Sequence, residues 1–135
     1  MHEVADGYIF ITFQDGAVIF YRDSYERHCT LHSVIKGVGG REEIQKALIY
    51  PHIITTYPFK DGSGRIIANC KKYRTITNTG TVKTTRGNEW EYWEVILRKN
   101  VGKRKKIVSA YLAYSPEPYL VNERIERIIF SRKIK

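Results

Sequence analysis

The sequence has few cysteines, too few acidic side chains to balance its basic ones, and no long apolar run. Cys29 and Cys70 stand in no CxxC motif and in no zinc-finger spacing with the histidines, which argues against a disulfide scaffold. Free thiols favour a reducing, cytoplasmic location. No apolar stretch approaches the roughly 20 residues that cross a bilayer, and the first thirty residues lack an export signal. We therefore expect no membrane partner.

The shortage of acidic residues is confined to one region. Acidic residues number 14 against 23 basic ones, which gives a net charge of +9. Residues 60–106 hold thirteen basic and four acidic side chains, so the excess lies there. Such a balance favours polyanionic partners, above all nucleic acid. No linker, repeat or low-complexity segment divides the 135 residues, so residues 1–135 are expected to form a single domain.

The first half of the chain predicts a hairpin and two helices. Residues 8–13 and 17–21 are β-rich runs on either side of a glycine-containing turn, which is typical of a β-hairpin. A helix is predicted over residues 25–35, because Ser24 suits an N-cap and Gly37 a helix end. A second is predicted over residues 41–49, where Ile44, Ala47 and Leu48 share one face, and the glycines at 37, 39 and 40 separate the two.

The second half changes to alternating polar and apolar residues, which predicts an antiparallel meander. The predicted strands are residues 65–73, 74–78, 81–85, 90–98 and 106–114, with a turn at Thr79 and Gly80. Apolar residues at helical spacing predict a closing helix over residues 119–130. The expected fold class is α+β: an N-terminal hairpin and two helices packed on a four-stranded antiparallel sheet, with a C-terminal helix.

Two histidines of the predicted first helix are candidates for chemistry. His28 and His32 are four residues apart, which places both rings on one helix face. They suit proton transfer, because histidine changes charge near neutral pH. Two helix histidines can equally make ordinary packing contacts. A metal site would need a third ligand, and none is apparent, so no metal or cofactor is predicted.

The basic residues of the meander are candidates for contacts with phosphates. They are Arg65, Lys71, Lys72, Arg74, Lys83, Arg86, Arg98, Lys99, Lys103, Arg104, Lys105 and Lys106. Lysines at a turn often only keep sheet edges soluble, so this set has a purely structural alternative. Aromatic residues are interleaved with the basic ones, and any exposed ring would suit stacking on unpaired bases.

The last predicted strand offers two polar side chains. Strict alternation places Ile107, Ser109 and Tyr111 on one face, and the opposite face, including Ala110, in the core. Ser109 and Tyr111 would then present a hydroxyl and a phenol on the open face, suited to binding a phosphate. The alternative is a strand whose solvent side happens to be polar.

The order of these segments resembles the phage-borne nucleases of the barnase/EndoU/colicin/RelE-like group. The resemblance rests on a histidine segment at residues 27–32, on a helix that leads into Pro51 and Ile54, and on two strand phrases, residues 93–98 and 107–111. It covers about residues 18–114 and implies N-terminal helices packed against a four-stranded antiparallel sheet. It also implies metal-independent cleavage of RNA, such as tRNA, by attack of a 2′-OH on the adjacent phosphorus.

The resemblance also implies roles for particular residues. His28 matches the family's histidine as general base or acid, and His32 matches the second histidine of that segment. Ser109 and Tyr111 would touch the scissile phosphate, and Arg98 would bind it or its neighbour. A toxin or phage effector of this kind would have an acidic antitoxin or immunity protein as partner. The alternative function is a non-catalytic module that binds nucleic acid or protein through the basic meander.

Overall fold

The computed structural model describes residues 1–14, 16–100, 102–116, 121 and 124–132. In this part of the chain eight strands form one mixed sheet, in the order β1-β2-β3-β7-β6-β5-β4-β8. The strands are β1 His2–Val4, β2 Gly7–Thr12, β3 Gly16–Tyr21, β4 Ile53–Lys60, β5 Ile66–Thr84, β6 Gly87–Asn100, β7 Lys106–Ser115 and β8 Arg127–Ser131. The helices are α1 Arg22–Leu31 and α2 Gly37–Ile49, joined by a 3-10 turn at Ser33–Ile35.

The expected four-stranded sheet with a C-terminal helix is wrong. Strands make up 57% of the described residues. The sheet consists of eight strands, and the described residues form two α-helices. At the end of the chain, β8 pairs with the edge of β4, where Ile54 lies opposite Phe130. Three consecutive apolar residues, 128–130, suit this pairing better than a helix, because it satisfies the exposed backbone groups of the β4 edge. Part of the predicted helix, residues 119, 120, 122 and 123, lies outside the described residues.

The N-terminal hairpin is confirmed as β2 and β3. Residues Gly7 to Thr12 pair antiparallel with Gly16 to Tyr21, and Gly16 has the positive φ of 72° that the turn requires. The sequence did not predict β1, which pairs with β2 at the sheet edge. Gly7 allows β2 to approach β3 closely, since a Cβ there would lie 2.2 Å from the carbonyl oxygen of Phe20.

Both predicted helices exist, with different bounds. The first ends at Leu31 and continues as the 3-10 turn, so residues 32–35 are not α-helical. The second begins at Gly37, four residues before the predicted start. Gly40 is buried against the 3-10 turn, where a Cβ would lie 2.2 Å from the carbonyl carbon of Ile35. Gly40 therefore permits close packing, and the three glycines do not break the helix.

The meander differs from its prediction at two places. Thr79 and Gly80 lie at a β-bulge inside the long strand β5, and the chain reverses only at Thr85 and Arg86. The strand β4, which lies between β5 and β8, was not predicted. Its sequence carries Pro58, close to a second irregularity of the pairing.

The main core lies between the helices and one face of the sheet. Its largest fully buried side chains include Phe10, Phe20, Ile44 and Leu48. A smaller cluster around Ile53, Ile76 and Tyr92 also includes Val121 of the C-terminal segment. Together the two clusters hold the wide sheet and the start of α1 in fixed positions, on which the site described below depends.

The imidazole of His52 gives the fold a pH dependence. Its Nδ1 accepts a hydrogen bond from the backbone N–H of Asn78 at 3.0 Å. Burial, followed by the positive charge of Arg132, lowers the pKa of His52 from its ordinary value of 6.5. In the unfolded chain His52 has its ordinary pKa of 6.5, so below pH 6.5 the unfolded chain binds the proton more readily than the folded chain. The free energy of unfolding therefore falls as the pH decreases below 6.5.

We expect His52→Asn to flatten this dependence, because the Asn oxygen can accept the same hydrogen bond without titrating. The measurement is urea unfolding between about pH 7 and pH 5, where one proton contributes at most about 1.4 kcal/mol per pH unit. His2→Gln, in the exposed strand β1, is the matched control and should keep the wild-type slope. Equal slopes for wild type and His52→Asn would show that His52 is not the titrating group.

Candidate functional site: a basic cavity beside His28

A cavity of about 400 Å³ lies where β3 ends and α1 begins. It arises because β3 pairs with β7 at one position, Ile19 with Lys106, before the chain leaves the sheet as α1. The helix α1 therefore lies beside the start of β7, where β3 would lie if it continued as a strand. The walls of this His28 cavity are Tyr21, Asp23, Ser24, Arg27, His28, Arg98, Lys106, Ile107, Val108 and Ser109.

The orientation of His28 is fixed by the helix that carries it. Its Nδ1 lies 2.7 Å from the carbonyl oxygen of Ser24, one turn earlier. A carbonyl oxygen only accepts, so Nδ1 carries the proton and donates it to this bond. In the neutral ring the lone pair is then on Nε2. His28 is half-buried and can offer that nitrogen as a proton acceptor within the cavity.

Three cations form a row across adjacent strands next to the cavity. Lys72 of β5 lies opposite Arg98 of β6, and Arg98 lies opposite Lys106 of β7. Like charges directly opposite each other in a sheet are destabilising. Among the described residues no carboxylate lies within 4 Å of any of the three to offset this cost. An arrangement of this kind attracts an anion.

Arg98, the middle member of this cation row, is held from two sides. Its Nε donates to the Sγ of Cys70 at 3.2 Å, and its guanidinium lies 4.2 Å from the ring centre of Phe59. Lys72 contacts the same ring at 4.9 Å. Neither contact uses the two terminal nitrogens of Arg98, and a guanidinium presents these in the fork that suits bidentate phosphate binding.

The four predicted catalytic residues form two adjacent pairs. His28 and Ser109 line the same cavity. His32 is absent from its walls, and its ring lies 5.3 Å from that of Tyr111, two residues along β7 from Ser109. The sequence interpretation of β7 was wrong for Ile107, which is buried in the main core with Ala110. A bulge at Val108 shifts the alternation, since Leu97 pairs with Ile107 and Ile96 with Ser109.

Some predicted phosphate contacts have other partners. Arg74 binds the carboxylates of Glu94 and Glu126, and all three side chains are largely buried. Burial lowers the pKa of Arg74, but the two carboxylates outweigh burial and raise it overall. Lys105 is buried, with its ammonium 3.7 Å from the ring centre of Tyr73.

The remaining predicted cations separate by position. Arg86 pairs with Glu89 near the far end of the β5–β6 hairpin, where Lys83 also lies. Lys71 and Lys99 lie opposite each other on β5 and β6. Arg65 is in the exposed turn before β5. Of the predicted cations, those that line the His28 cavity or the adjoining space are Arg98, Lys103, Arg104 and Lys106.

Six wall residues of the cavity were not predicted as site residues: Tyr21, Asp23, Ser24, Arg27, Ile107 and Val108. Arg27 precedes His28 and adds a third cation to the walls. Tyr21 is the last residue of β3 and is 45% exposed. The position of Arg27 beside the candidate histidine was a signal for its role. The role of Tyr21 depends on the contact between β3 and β7, which no local pattern indicates.

A larger cavity of about 770 Å³ lies between β4, β5 and residues 124–127. Its walls carry apolar side chains such as Ile66, Ile67 and Ile125, and no histidine. The two histidines predicted for proton transfer, His28 and His32, do not line this cavity. Among the described residues, no three His, Cys, Asp or Glu side chains come together in a way that could hold a metal ion.

Comparisons of this chain with protein-family models, with curated proteins and with solved structures find no match. Within the part of the chain that the structure describes, no helix is both long and apolar enough to span a membrane.

Proposed function

We propose that the protein is an endoribonuclease that binds RNA over the His28 cavity and cleaves it without a metal ion. The observation that carries this proposal is the composition of one cavity: an oriented histidine, the hydroxyl of Ser109, and the cations Arg98 and Lys106. When a 2′-OH attacks phosphorus, the reaction requires a proton acceptor for the hydroxyl and positive charge that stabilises the phosphate in the transition state. The cavity contains both.

In the proposed reaction His28 is the general base. Its Nε2 takes the proton of the 2′-OH, and the oxygen attacks the adjacent phosphorus. Arg98, Lys106 and the hydroxyl of Ser109 stabilise the negative charge on the phosphate oxygens. The bond from phosphorus to the 5′ oxygen then breaks, and this oxygen takes a proton from the second pair, His32 with Tyr111. The products are a 2′,3′-cyclic phosphate and a 5′-OH.

The cation row also supports the alternative function. Lys72, Arg98 and Lys106 would hold a nucleic-acid backbone whether or not His28 transfers a proton. A non-catalytic module of this kind would bind RNA or DNA in a strongly salt-dependent way and would leave it intact. If the proposed nuclease acts as a toxin, its charge of +9 favours an acidic antitoxin or immunity protein as partner.

The experiment that decides between these functions is incubation with total tRNA in excess EDTA, followed by a denaturing gel. The nuclease predicts discrete fragments that end in a cyclic phosphate. RNA methylated at every 2′-oxygen is the matched control, and it should be bound but not cut because it has no attacking hydroxyl. Intact tRNA that is retarded on a native gel would overturn the nuclease and support the binding module.

A further inference from the structure

A second cavity adjoins the His28 cavity at its basic end. It has a volume of about 260 Å³ and is lined by Tyr21, Arg98, Asn100, Lys103, Arg104 and Lys106. Three of these residues, Tyr21, Arg98 and Lys106, also line the His28 cavity. The two cavities therefore form one continuous surface, with Arg98 and Lys106 accessible from both sides.

The charge of the second cavity is of one sign. Four of its six wall residues are cations and none is acidic. Among the described residues, no carboxylate lies within ion-pair distance of Lys103 or Arg104. Cations gathered in a concave site repel each other, and a bound anion relieves that repulsion.

The turn that presents Lys103 and Arg104 is held by hydrogen bonds. The backbone N–H of Lys103 donates to the carbonyl of Asn100 at 3.0 Å. The Nζ of Lys99 donates to the carbonyl of Lys103, also at 3.0 Å. Gly102 takes a φ of 76°, which a turn of this shape favours. Two hydrogen bonds therefore fix the backbone of Lys103 beside the cavity, and Arg104 follows directly, although both side chains are exposed.

An aromatic ring lies where the two cavities meet. Tyr21 is 45% exposed and is part of both walls. A ring with cations on both sides suits a base whose two neighbouring phosphates bind those cations, because bases stack on aromatic side chains. A base inside a duplex is already stacked on its neighbours and cannot offer its face to Tyr21.

We propose that the second cavity binds the phosphate next to the scissile one, with the base between them stacked on Tyr21. The substrate is then an unpaired RNA strand that places at least two consecutive phosphates on the protein. Lys103 and Arg104 bind the second phosphate, and Arg98 lies between both. This proposal rests on the proposed function, since it places the scissile phosphate in the His28 cavity.

The test compares two uridine oligonucleotides that are methylated at every 2′-oxygen: UpU with one phosphate and UpUpU with two. Titration calorimetry gives both affinities, and their ratio is the readout, so a general loss of binding cancels. For the wild type we expect UpUpU to bind roughly tenfold tighter or more, as charge-assisted hydrogen bonds to one phosphate would give. Lys103→Ala with Arg104→Ala should reduce the ratio to nearly one.

Two controls separate the subsite from total charge and from folding. Lys36→Ala with Lys46→Ala removes the same charge from the residue before α2 and from α2 itself, and should keep the wild-type ratio. Tyr21→Phe keeps the ring and should bind UpUpU as the wild type does, whereas Tyr21→Ala should lose affinity. Unfolding curves of each variant show that it is folded.

The outcomes distinguish this proposal from the proposed function. The second subsite is overturned if the wild-type ratio is near one or if the ratio survives the Lys103/Arg104 double substitution. It is also overturned if duplex RNA, or a glutamate peptide of equal charge, binds more tightly than UpUpU. Cleavage of unmethylated UpU with no gain for UpUpU leaves the nuclease standing without the subsite. A length-dependent ratio with no cleavage of unmethylated UpUpU supports the subsite and overturns the nuclease.

Discussion

If the protein cleaves RNA as proposed, we expect His28→Gln to lower the single-turnover rate of cleavage by roughly 10² to 10⁴-fold, the contribution of a positioned proton-transfer group. Glutamine can still donate to the carbonyl of Ser24, as Nδ1 of His28 does in the helix. It cannot take the proton of the 2′-OH. The affinity for methylated RNA should change little, because the cations that bind the phosphate remain in the cavity.

His2→Gln is the matched control for this variant. His2 is exposed in β1, at the sheet edge, and its replacement should leave the cleavage rate unchanged. Urea unfolding of His28→Gln tests whether the helix remains stable. A folded His28→Gln variant that cleaves at the wild-type rate would remove His28 from the reaction.

Arg74→Met lowers the free energy of unfolding by about 3–5 kcal/mol, the usual cost of breaking a buried ion pair from one side. Arg74 lies between two carboxylates, those of Glu94 and Glu126, whose side chains are each 7% exposed. Without the guanidinium both carboxylates remain buried and lose their ion pair with Arg74. Glu126 also accepts a hydrogen bond from Thr55, so the loss should loosen the segment before β8.

Lys46→Met is the comparison for Arg74→Met, because Lys46 pairs with Glu43 on the surface of α2. A surface pair contributes at most about 1 kcal/mol, so this variant should stay near the wild type. Equilibrium urea unfolding measures both changes. Equal, small effects for Arg74→Met and Lys46→Met would show that the buried cluster contributes no more than a surface pair.

The predictions that succeeded depend on short-range signals. The hairpin of β2 and β3 follows from two β-rich runs around a turn that ends at Gly16. The second helix follows from its apolar spacing, although Gly37 and Gly40 concealed where it begins. Gly40 packs against Ile35 in the fold, and local helix propensity does not predict such a tertiary contact.

The predictions that failed depend on which strands meet. β8 is a strand because it covers the edge of β4, and nothing near residue 128 indicates that this edge exists. The bulges at Thr79 and at Val108 are single extra residues in long strands. The first was interpreted as a turn, and the second placed Ile107 on the wrong face. Pairing partners far apart in the sequence decide both features.

The residues of the candidate site also fall into a group that the sequence predicted and a group that it did not. His28, Ser109, Arg98 and Lys106 were singled out from the sequence, and the fold brings them to one cavity. The basic run could not reveal that Arg74 is held by two buried carboxylates, since Glu126 lies 52 residues away. Nor could it reveal Tyr21, whose place depends on the single parallel contact of β3 with β7.

The most direct test of the central claim uses a DNA strand that contains one ribonucleotide, incubated in excess EDTA with the wild type and with His28→Gln. Attack by a 2′-OH at the His28 cavity predicts one cut by the wild type, directly 3′ of the ribonucleotide, which leaves a 2′,3′-cyclic phosphate. It predicts almost no cut by the variant. Cuts elsewhere in the DNA, or equal cutting by both proteins, would contradict it.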